Sequence, residues 1–390
     1  MSYNLHDLSE ELILIVCNFL DIRDKYKVIC LNKYFNKILK DDLYIYLDEN
    51  LFGNDPTLNG DILINYLNNI KEYSTIVIPP IKYYIDEKNF RFSKSVNLVS
   101  PKRYANIVLN SYITFAAKKY FRLKNIEILC DFNNYENDCV IFSSNNTLNL
   151  SCCRIYTFTN KTINIINSTL IVYDSLFEGN RIINAYLSRL IIKNNDFINS
   201  IEAIYADSCK SIINYNYIKN CINSGVTIYQ GLCCFRGNSI TDNKKHGIKL
   251  LNIEKAALIS NKINRNSKNG IHIIESNRIE IEDNNINANE RSGIRISSLV
   301  CDANVGIVNN YISYNVNNGI FLVGGDNKII NNNLNYNLGV GIYSIGINGL
   351  IDYNTIKNEG VPCVYLKKCS FRMNENKLCV NNCKNEVIIN

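Results

Sequence analysis

Short segments in which apolar and polar residues alternate recur along most of the chain. Typical examples are "GIKLL", "GIHII" and "RIEIE". Alternation with a period of two predicts strands that bury one face. The segments are separated by stretches containing Asn, Gly and Ser, which are typical of turns. The pattern therefore predicts a mainly β protein that consists of many short strands.

The strand segments themselves repeat about every 22 residues. An apolar residue marks each repeat, two positions after a recurring Asn, at Ile218, Ile240, Ile263, Ile286, Ile312, Leu334, Ile356 and Leu378. Repetition at this period is the signature of a solenoid in which each repeat forms one coil. The regular leucine frame of leucine-rich repeats is absent. Three short strands per coil predict a parallel β-helix over residues 58–390.

The recurring Asn residues form a column of their own. It comprises Asn216, Asn238, Asn261, Asn284, Asn310, Asn332, Asn354 and Asn376, with Asp174 and Asp196 expected to precede them. Asn tolerates left-handed backbone and bonds locally, so it suits a sharp corner between strands. Stacked about 4.8 Å apart, the amides can also bond from coil to coil. We interpret the column as a structural ladder.

The segment 59–85 predicts a short amphipathic helix and then a first strand. It resembles the start of pectin-lyase-like β-helices, in which a helix caps the open end of the core. A solenoid end exposes unpaired strand edges, so a cap is physically required. Residues 48–57 are expected to form a linker before this cap.

Residues 5–47 have helical rather than strand periodicity. Leu8, Leu12, Ile15 and Phe19 recur on one face, and Ser9 is placed to cap the first helix. The segment "LSEELILIVCNFLDIRDKYKVICLNKYFNKILKDDLYIY" resembles an F-box, the helical module that docks on the adaptor Skp1. The resemblance implies an Skp1-binding surface at Leu8, Ser9, Glu11, Leu12, Ile15, Phe19, Leu20, Asp24, Ile29, Cys30, Phe35, Leu43 and Tyr44. The chain departs from the family pattern at Ser9, usually Pro, and at Phe35, usually Trp.

An F-box followed by such repeats resembles the F-box proteins with right-handed carbohydrate-binding-and-hydrolase-type (CASH) repeats. The resemblance implies a right-handed solenoid and a substrate receptor of an SCF-type ubiquitin ligase. Its partners would be an Skp1-like adaptor, through it a cullin-RING ligase, and an unidentified target protein. Such a receptor would be a non-catalytic adaptor. Two alternatives stay open: a carbohydrate-binding or carbohydrate-active β-helix, and a viral Skp1 decoy.

Composition restricts the possible environment and partners. The net charge of +6 makes a nucleic-acid partner unlikely in comparison with strongly basic binders. No apolar run reaches the ~20 residues of a membrane helix, and no signal peptide is expected. The fifteen Cys are therefore expected to be reduced core residues of a cytoplasmic protein. The AT-rich codon bias suggests a large DNA virus, which would place the protein in the host cytoplasm or nucleus.

No cofactor and no metal site are expected. The terminal Cys363, Cys369, Cys379 and Cys383 lack the Cys-x-x-Cys spacing of zinc sites. The best acidic pair, Glu280 and Glu282, has only Ala257, Ile259, Gly306 and Val308 at the equivalent places of the two adjacent repeats. Polysaccharide-cleaving sites need converging carboxylates. The sequence therefore predicts no catalytic residues.

One outward column is the best candidate for a binding surface. Two residues after each Gly step, or its equivalent, lie Tyr205, Thr227, Lys249, His272, Arg295, Phe321, Tyr343 and Tyr365. The column is basic at its centre and aromatic at one end. Tyr and Arg are favoured in protein interfaces, and the same groups can stack sugars or nucleotides. We expect a target to bind along this stripe, with an ordinary sheet surface as the alternative.

Overall fold

Each repeat of about 22 residues forms one coil with three short strands. In one coil these strands are Lys262–Asn264, Ile271–Ile274 and Arg278–Glu282. All three pair in parallel with their counterparts in the next coil. The stacked coils form a right-handed parallel β-solenoid of about 13 turns, which confirms the predicted β-helix.

The structure is a computed structural model, and it describes part of the chain. The described residues are 44–86, 90–101, 103–110, 112–130, 139–157, 159–297, 304–346, 348–381 and 386–390. Residues 5–43, which carry nearly all of the F-box resemblance, lie outside them, as does Cys383.

The strands stack into three faces of the solenoid. Face A contains Phe90–Phe92, Ile113–Phe115, Ile141–Ser144, Lys161–Ile166, Arg181–Tyr186, Ile248–Leu251, Ile271–Ile274, Ile294–Ser297, Ile320–Val323, Ile342–Ile345, Val364–Lys367 and Val387–Ile389. Face B contains Tyr44–Tyr46, Ser74–Val77, Val96–Val99, Tyr120–Lys124, Thr147–Ser151, Thr169–Tyr173, Arg189–Lys193, Lys255–Ile259, Arg278–Glu282, Asn304–Val308, Asp326–Ile330, Asn348–Asp352 and Ser370–Asn374. Face C contains Lys82–Ile85, Ala105–Leu109, Ile126–Cys130, Arg154–Thr157, Leu176–Glu178, Asp196–Ile198, Tyr217–Lys219, Ser239–Thr241, Lys262–Asn264, Asn285–Asn287, Tyr311–Ser313, Asn333–Asn335, Thr355–Glu359 and Lys377–Asn381. Two long strands, Glu202–Asn214 and Val226–Arg236, run through both face A and face B.

The core is a stack of aliphatic layers inside the three faces. In face A, Ile271 and Ile273 are fully buried, whereas His272 between them points outward. Ile263 is equally buried and aligns with Ile240 and Ile286 of the adjacent coils. Burying each such side chain contributes about 1.5–3 kcal/mol. Because side chains alternate along a strand, the same positions of every coil point inward.

A helix, Pro56–Asn69, packs on the first strand of face C, Lys82–Ile85. Asp55 caps it by accepting the Thr57 N–H at 2.9 Å, and Pro56 suits the first helical position. Its Leu63, Ile64 and Leu67 join the solenoid core.

The start of the chain corrects two expected boundaries. Asp55 is the N-cap, so the helix begins at Pro56, inside the segment 48–57 that was expected to be a linker. The same segment also contains a 3-10 turn at Glu49–Leu51. Residues Tyr44–Tyr46, assigned to the F-box segment 5–47, pair in parallel with Ser74–Val77 as a solenoid strand.

The Asn column is an amide ladder. In each member the side-chain oxygen accepts both the backbone N–H and the side-chain N–H of the member one coil earlier. Asn238 donates in this way to Asn261 from both nitrogens at 2.9 Å, and Asn261 donates to Asn284 at 2.9 and 3.0 Å. The ladder continues through Asn310, Asn332 and Asn354 to Asn376.

Two details of the ladder differ from expectation. Asn195, not Asp196, precedes Asn216, because Asp196 aligns with Tyr217 instead. The left-handed corner residue is the one before each Asn, for example Tyr215 with φ 57°. The Asn side chain therefore stabilises the corner, whereas the left-handed backbone is that of the preceding residue.

A second Asn ladder, absent from the sequence prediction, runs parallel to the first. It comprises Asn243, Asn266, Asn289, Asn315 and Asn337, with side-chain bonds of 2.8–2.9 Å. These residues lie at the corner between faces C and A. Together the two ladders satisfy the backbone at two of the three corners.

Candidate functional site

The predicted outward stripe is a continuous column on face A. The strand register aligns each member with the next, in the order Tyr205, Thr227, Lys249, His272, Arg295, Phe321, Tyr343 and Tyr365. All except the buried Thr227 are half-buried. The stripe is thus one aligned column, less exposed than expected, and its role as a target-binding surface stays a prediction.

The aromatic end of the stripe is closely stacked. The Arg295 guanidinium lies 4.5 Å from the Phe321 ring centre. The rings of Phe321 and Tyr343 stack at 5.2 Å, and those of Tyr343 and Tyr365 at 4.7 Å. Since each ring face is covered by its neighbour, this end presents ring edges and hydroxyls rather than an open platform for a sugar.

The basic centre of the stripe contains a pair of histidines. The rings of His246 and His272 lie 4.5 Å apart, with His246 three positions before Lys249 in the coil preceding His272. Burial is the main cause that lowers the pKa of His246 to about 3 and of His272 to about 4. Nearby cations lower both further. Both imidazoles are therefore neutral at neutral pH.

The hydrogen bonds of the two histidines differ. The His246 Nδ1 accepts the backbone N–H of Asn269 at 3.3 Å, which assigns its proton to Nε2. The Nδ1 of His272 is buried and has no hydrogen-bond partner within the described part of the protein. A buried polar atom without a partner is costly, so this one needs a physical explanation.

Five cations surround the histidine pair. Lys249 and Arg295 lie one coil before and one coil after His272 in the stripe. Lys245, Lys268 and Arg291 stack at the adjacent turn in three consecutive coils. In the described residues none of the five forms an ion pair. The positive charge is therefore available to a ligand.

A buried acid lies at the other end of the site. Glu202 is 6% exposed and accepts a 2.5 Å hydrogen bond from the Thr227 hydroxyl. Burial raises the pKa of Glu202, although Thr227, Arg181 and Lys249 oppose the change. We define the face-A cluster as Glu202, His246, Lys249, His272 and Arg295. Sequence reasoning found three of these and missed Glu202 and His246.

The acidic pair Glu280 and Glu282 lies apart from this cluster. Both are on face B and align with Ala257 and Ile259 of the coil before. Among the described residues, no group of three or more His, Cys, Asp or Glu side chains is arranged to hold a metal ion. The described cysteines are free, and burial raises the pKa of Cys153 to about 12. No helix in the described part is long and apolar enough to cross a membrane.

The face-A cluster has a definite chemical capacity. An anion held by Lys249 and Arg295 would lie beside the neutral imidazole of His272, their neighbour in the column. Opposite charge raises the pKa of a histidine, so a bound carboxylate would increase the basicity of His272. The arrangement thus suits the recognition of carboxylates and proton transfer beside them.

Comparison with known proteins was made on sequence and on structure. The family described as "Right handed beta helix region" matches residues 126–255 and 250–389. The search of curated proteins gave no match. No F-box domain was found, so the Skp1-binding residues have no support from the comparisons.

Similar solved structures include polysaccharide-active proteins. The periplasmic alginate epimerase AlgG has 14% identity and a TM-score of 0.50, covering 89% of this chain and 83% of that one. A single-residue mutant of that enzyme has 14% identity and a TM-score of 0.51, covering 89% and 84%. The catalytic unit of an α-1,3-glucanase from Streptomyces thermodiastaticus has 13% identity and a TM-score of 0.44, covering 90% and 68%. Likeness at these identities concerns the fold.

These comparisons correct one expectation and establish the family. The prediction of a non-catalytic adaptor is wrong, since two solved structures that share this fold at TM-scores of 0.50 and 0.51 are those of an alginate epimerase, an enzyme. The two family matches together extend from residue 126 to residue 389, well over half of the chain. The chain belongs to the family of proteins with a right-handed β-helix region.

Proposed function

We propose that the protein binds an acidic polysaccharide on face A and transfers a proton at the carbon next to a sugar carboxylate. The observation that carries the proposal is the neutral His272 between Lys249 and Arg295 in one outward column. A shared fold with an enzyme whose name specifies alginate, a polyuronate, supports the choice of substrate class.

Recognition would rest on repeated cations. The carboxylates of an acidic polysaccharide recur along the chain, and Lys245, Lys268 and Arg291 recur at coil spacing, about 4.8 Å per step. Lys249 and Arg295 form a second row beside them. Because the ring faces of Phe321 and Tyr343 are covered, charge rather than aromatic stacking would provide most of the affinity.

The chemistry would depend on His272. Lys249 and Arg295 would hold the carboxylate and stabilise the negative charge that develops when the adjacent carbon loses a proton. The neutral imidazole of His272 would remove that proton and return it. Glu202 would not contact the substrate. It would position the site, since its hydrogen bond to the Thr227 hydroxyl orders the strand one coil before Lys249.

Binding is tested by titrating the full chain with polyuronate oligosaccharides and with a neutral glucan. We expect binding of the polyuronate only, weakened about fivefold or more in Lys249→Ala and in Arg295→Ala, as expected for a charge contact worth about 1 kcal/mol. Lys262→Ala, an exposed cation on face C, is the matched control and should bind normally. Equal binding of both polymers, or no binding, would overturn the proposed substrate class.

Proton transfer is tested separately in deuterated water. Wild-type protein should introduce deuterium into the bound polyuronate, measured by NMR of the recovered sugar. His272→Gln should abolish this exchange while binding is retained. Exchange that persists in the His272 variant would remove His272 as the base, and binding without any exchange would reduce the function to recognition.

A further inference from the structure

Face B carries a second surface that the proposed function does not use. Its central outward column is apolar for five consecutive coils. The strand register aligns its members in the order Ile171, Ile191, Ile212, Cys234 and Ala257. Ile212 is 39% exposed, and the other four are half-buried. We call this column the isoleucine stripe.

Cations flank the isoleucine stripe on both sides. Arg189, Lys210 and Lys255 occupy the outward position before it on their strands, with Leu232 aligned between the last two. Lys193 and Arg236 occupy the outward position after it, with Asn214 aligned between them and Ile259 next to Arg236. None of these cations has an ion-pair partner within the ranges that the structure describes.

Three members of the stripe, Ile212, Cys234 and Ala257, lie in a groove, and Ile191 and Ile171 continue the column beyond it. A depression of about 590 Å³ is lined by Ile212, Leu232, Cys234 and Ala257, with Arg189, Lys210 and Lys255 along one wall. The apolar column ends at Asn149 on one side and at Glu280 on the other. The apolar column is therefore bounded in length.

The dimensions of the groove match those of an α-helix. Outward residues two apart on a strand are about 6.6 Å apart, so the two cationic columns lie about 13 Å apart. Four coil steps give the stripe a length of about 19 Å. A helix is about 10–12 Å wide with its side chains, and about 13 residues of it are 19 Å long.

We infer that the groove on face B is a docking site for an amphipathic helix of a partner protein, one that presents an apolar stripe flanked by acidic residues. The apolar side chains of such a helix lie on the isoleucine stripe, and its carboxylates face Arg189, Lys210 and Lys255 on one side and Lys193 and Arg236 on the other. Helices recognised in grooves use this division of apolar anchors and flanking charges.

The same features disfavour two other occupants. A sugar chain would find aliphatic side chains where it needs hydrogen-bonding groups or open aromatic faces. Insertion into a membrane surface would require a broad apolar plane. This stripe is one residue wide, and cations lie in the columns on both sides of it. The inference goes beyond the polysaccharide function and does not depend on it.

The test is a selection from a displayed library of helical peptides of about 14 residues on the full-length protein. We expect the enriched sequences to have apolar residues at i, i+4, i+7 and i+11, flanked by Glu or Asp. An enriched peptide, measured by fluorescence anisotropy, should bind at least tenfold more weakly to Lys210→Glu/Lys255→Glu and to Ile191→Ser/Ile212→Ser. These positions point outward, and thermal melts check that the variants fold.

The matched control is Lys328→Glu, an exposed cation on face B outside the groove, which should bind the peptide normally. Three results would overturn the inference. They are enrichment without acidic residues, binding that is unchanged in the groove variants, and capture of phosphatidylserine vesicles or polyuronate through the groove instead of any peptide.

Discussion

His272 shows how neighbouring residues set the chemistry of one side chain. Burial and the charges of Arg295, Lys249, Lys268 and Arg291 all act in the same direction and lower its pKa to about 4. The same residue on an exposed strand would be partly charged near neutral pH. The cations that would bind a substrate therefore also keep the base unprotonated until a carboxylate arrives.

Acid should destabilise the protein through the two histidines. Their folded pKa values, about 3 for His246 and about 4 for His272, lie below the ordinary value of 6.5. The unfolded chain therefore takes up protons between about pH 6.5 and pH 3 that the folded chain does not. Their contribution to stability is complete above pH 6.5 and is lost as the pH falls through this window. We expect the midpoint of chemical denaturation to fall accordingly.

The control for this pH dependence is His246→Gln/His272→Gln, which should flatten the curve in that window. Glu202 acts in the opposite sense, because burial raises its pKa. If the denaturation midpoint fell equally with pH in the wild type and in the double variant, carboxyl groups elsewhere would be the main cause of the acid sensitivity.

At the scale of the strand and corner, the Asn ladder should make a large contribution to stability. Asn261→Ala would leave the Asn238 backbone N–H and amide without their acceptor and the Phe235 carbonyl without a donor. Buried unsatisfied groups cost about 1–3 kcal/mol each, so we expect a loss of at least about 2 kcal/mol in the free energy of unfolding.

Asn277→Ala is the control for the ladder, since Asn277 is exposed in the same coil. Equilibrium denaturation in urea should show almost no change for this variant. If both variants lost the same stability, the ladder would make no special contribution to the free energy of unfolding.

The corner glycines are fixed by close packing between coils. A Cβ on Gly270 would lie 2.7 Å from the Ile286 side chain and 2.8 Å from the Gly293 carbonyl oxygen. A Cβ on Gly306 would approach nothing more closely than 4.0 Å. We expect Gly270→Ala to lower the melting temperature, at a cost of about 1–3 kcal/mol, and Gly306→Ala to leave it unchanged or slightly higher. The reverse order would contradict the described packing.

Periodicity determines which of these features a sequence can predict. Ile263, Asn261 and His272 hold places that recur at a fixed spacing, so the coil, the ladder and the stripe were predictable. Glu202 and His246 were not predictable. They share one column with Ser224, Asn269 and Ser292, and this column has no common residue type. A column without a common type gives no repeating signal.

The isoleucine stripe was missed for a different reason. In the strand Arg189–Lys193, Ile191 points outward and Ile192 is fully buried, yet both are isoleucine. Only the register of the coil decides which one faces solvent, and a slip of one residue reverses every side chain. Asp196 was misplaced in the ladder by such a slip.

For the whole molecule, binding of an Skp1-like adaptor stays a prediction, because residues 5–43 lie outside the described part. A cytoplasmic location also stays a prediction. Co-purification of the full chain with Skp1 tests the first, and a Leu12→Asp/Phe19→Asp variant should lose it. That variant should still bind polyuronate, since face A is elsewhere in the chain. No capture of Skp1 by wild-type protein would remove the ligase partner.

The solenoid separates its two candidate sites onto different faces. Each coil contacts mainly its neighbours, so a surface change on one face should affect the other face only through a strand that both share. Two strands are of this kind. Val226–Arg236 connects Thr227 on face A with Cys234 on face B, and Glu202–Asn214 connects Tyr205 with Ile212 in the same way. The rigid coil nevertheless predicts two independent sites.

We therefore expect additive behaviour of variants on the two faces. Lys249→Ala should weaken polyuronate binding but leave binding of an acidic helical peptide unchanged, and Lys210→Glu/Lys255→Glu should do the reverse. The combined variant should show both losses with a coupling below about 0.5 kcal/mol, as for distant sites. Titration of the peptide with and without saturating polyuronate measures the coupling directly. Mutual exclusion of the two ligands would mean that one basic surface, extending over face A and face B, binds both.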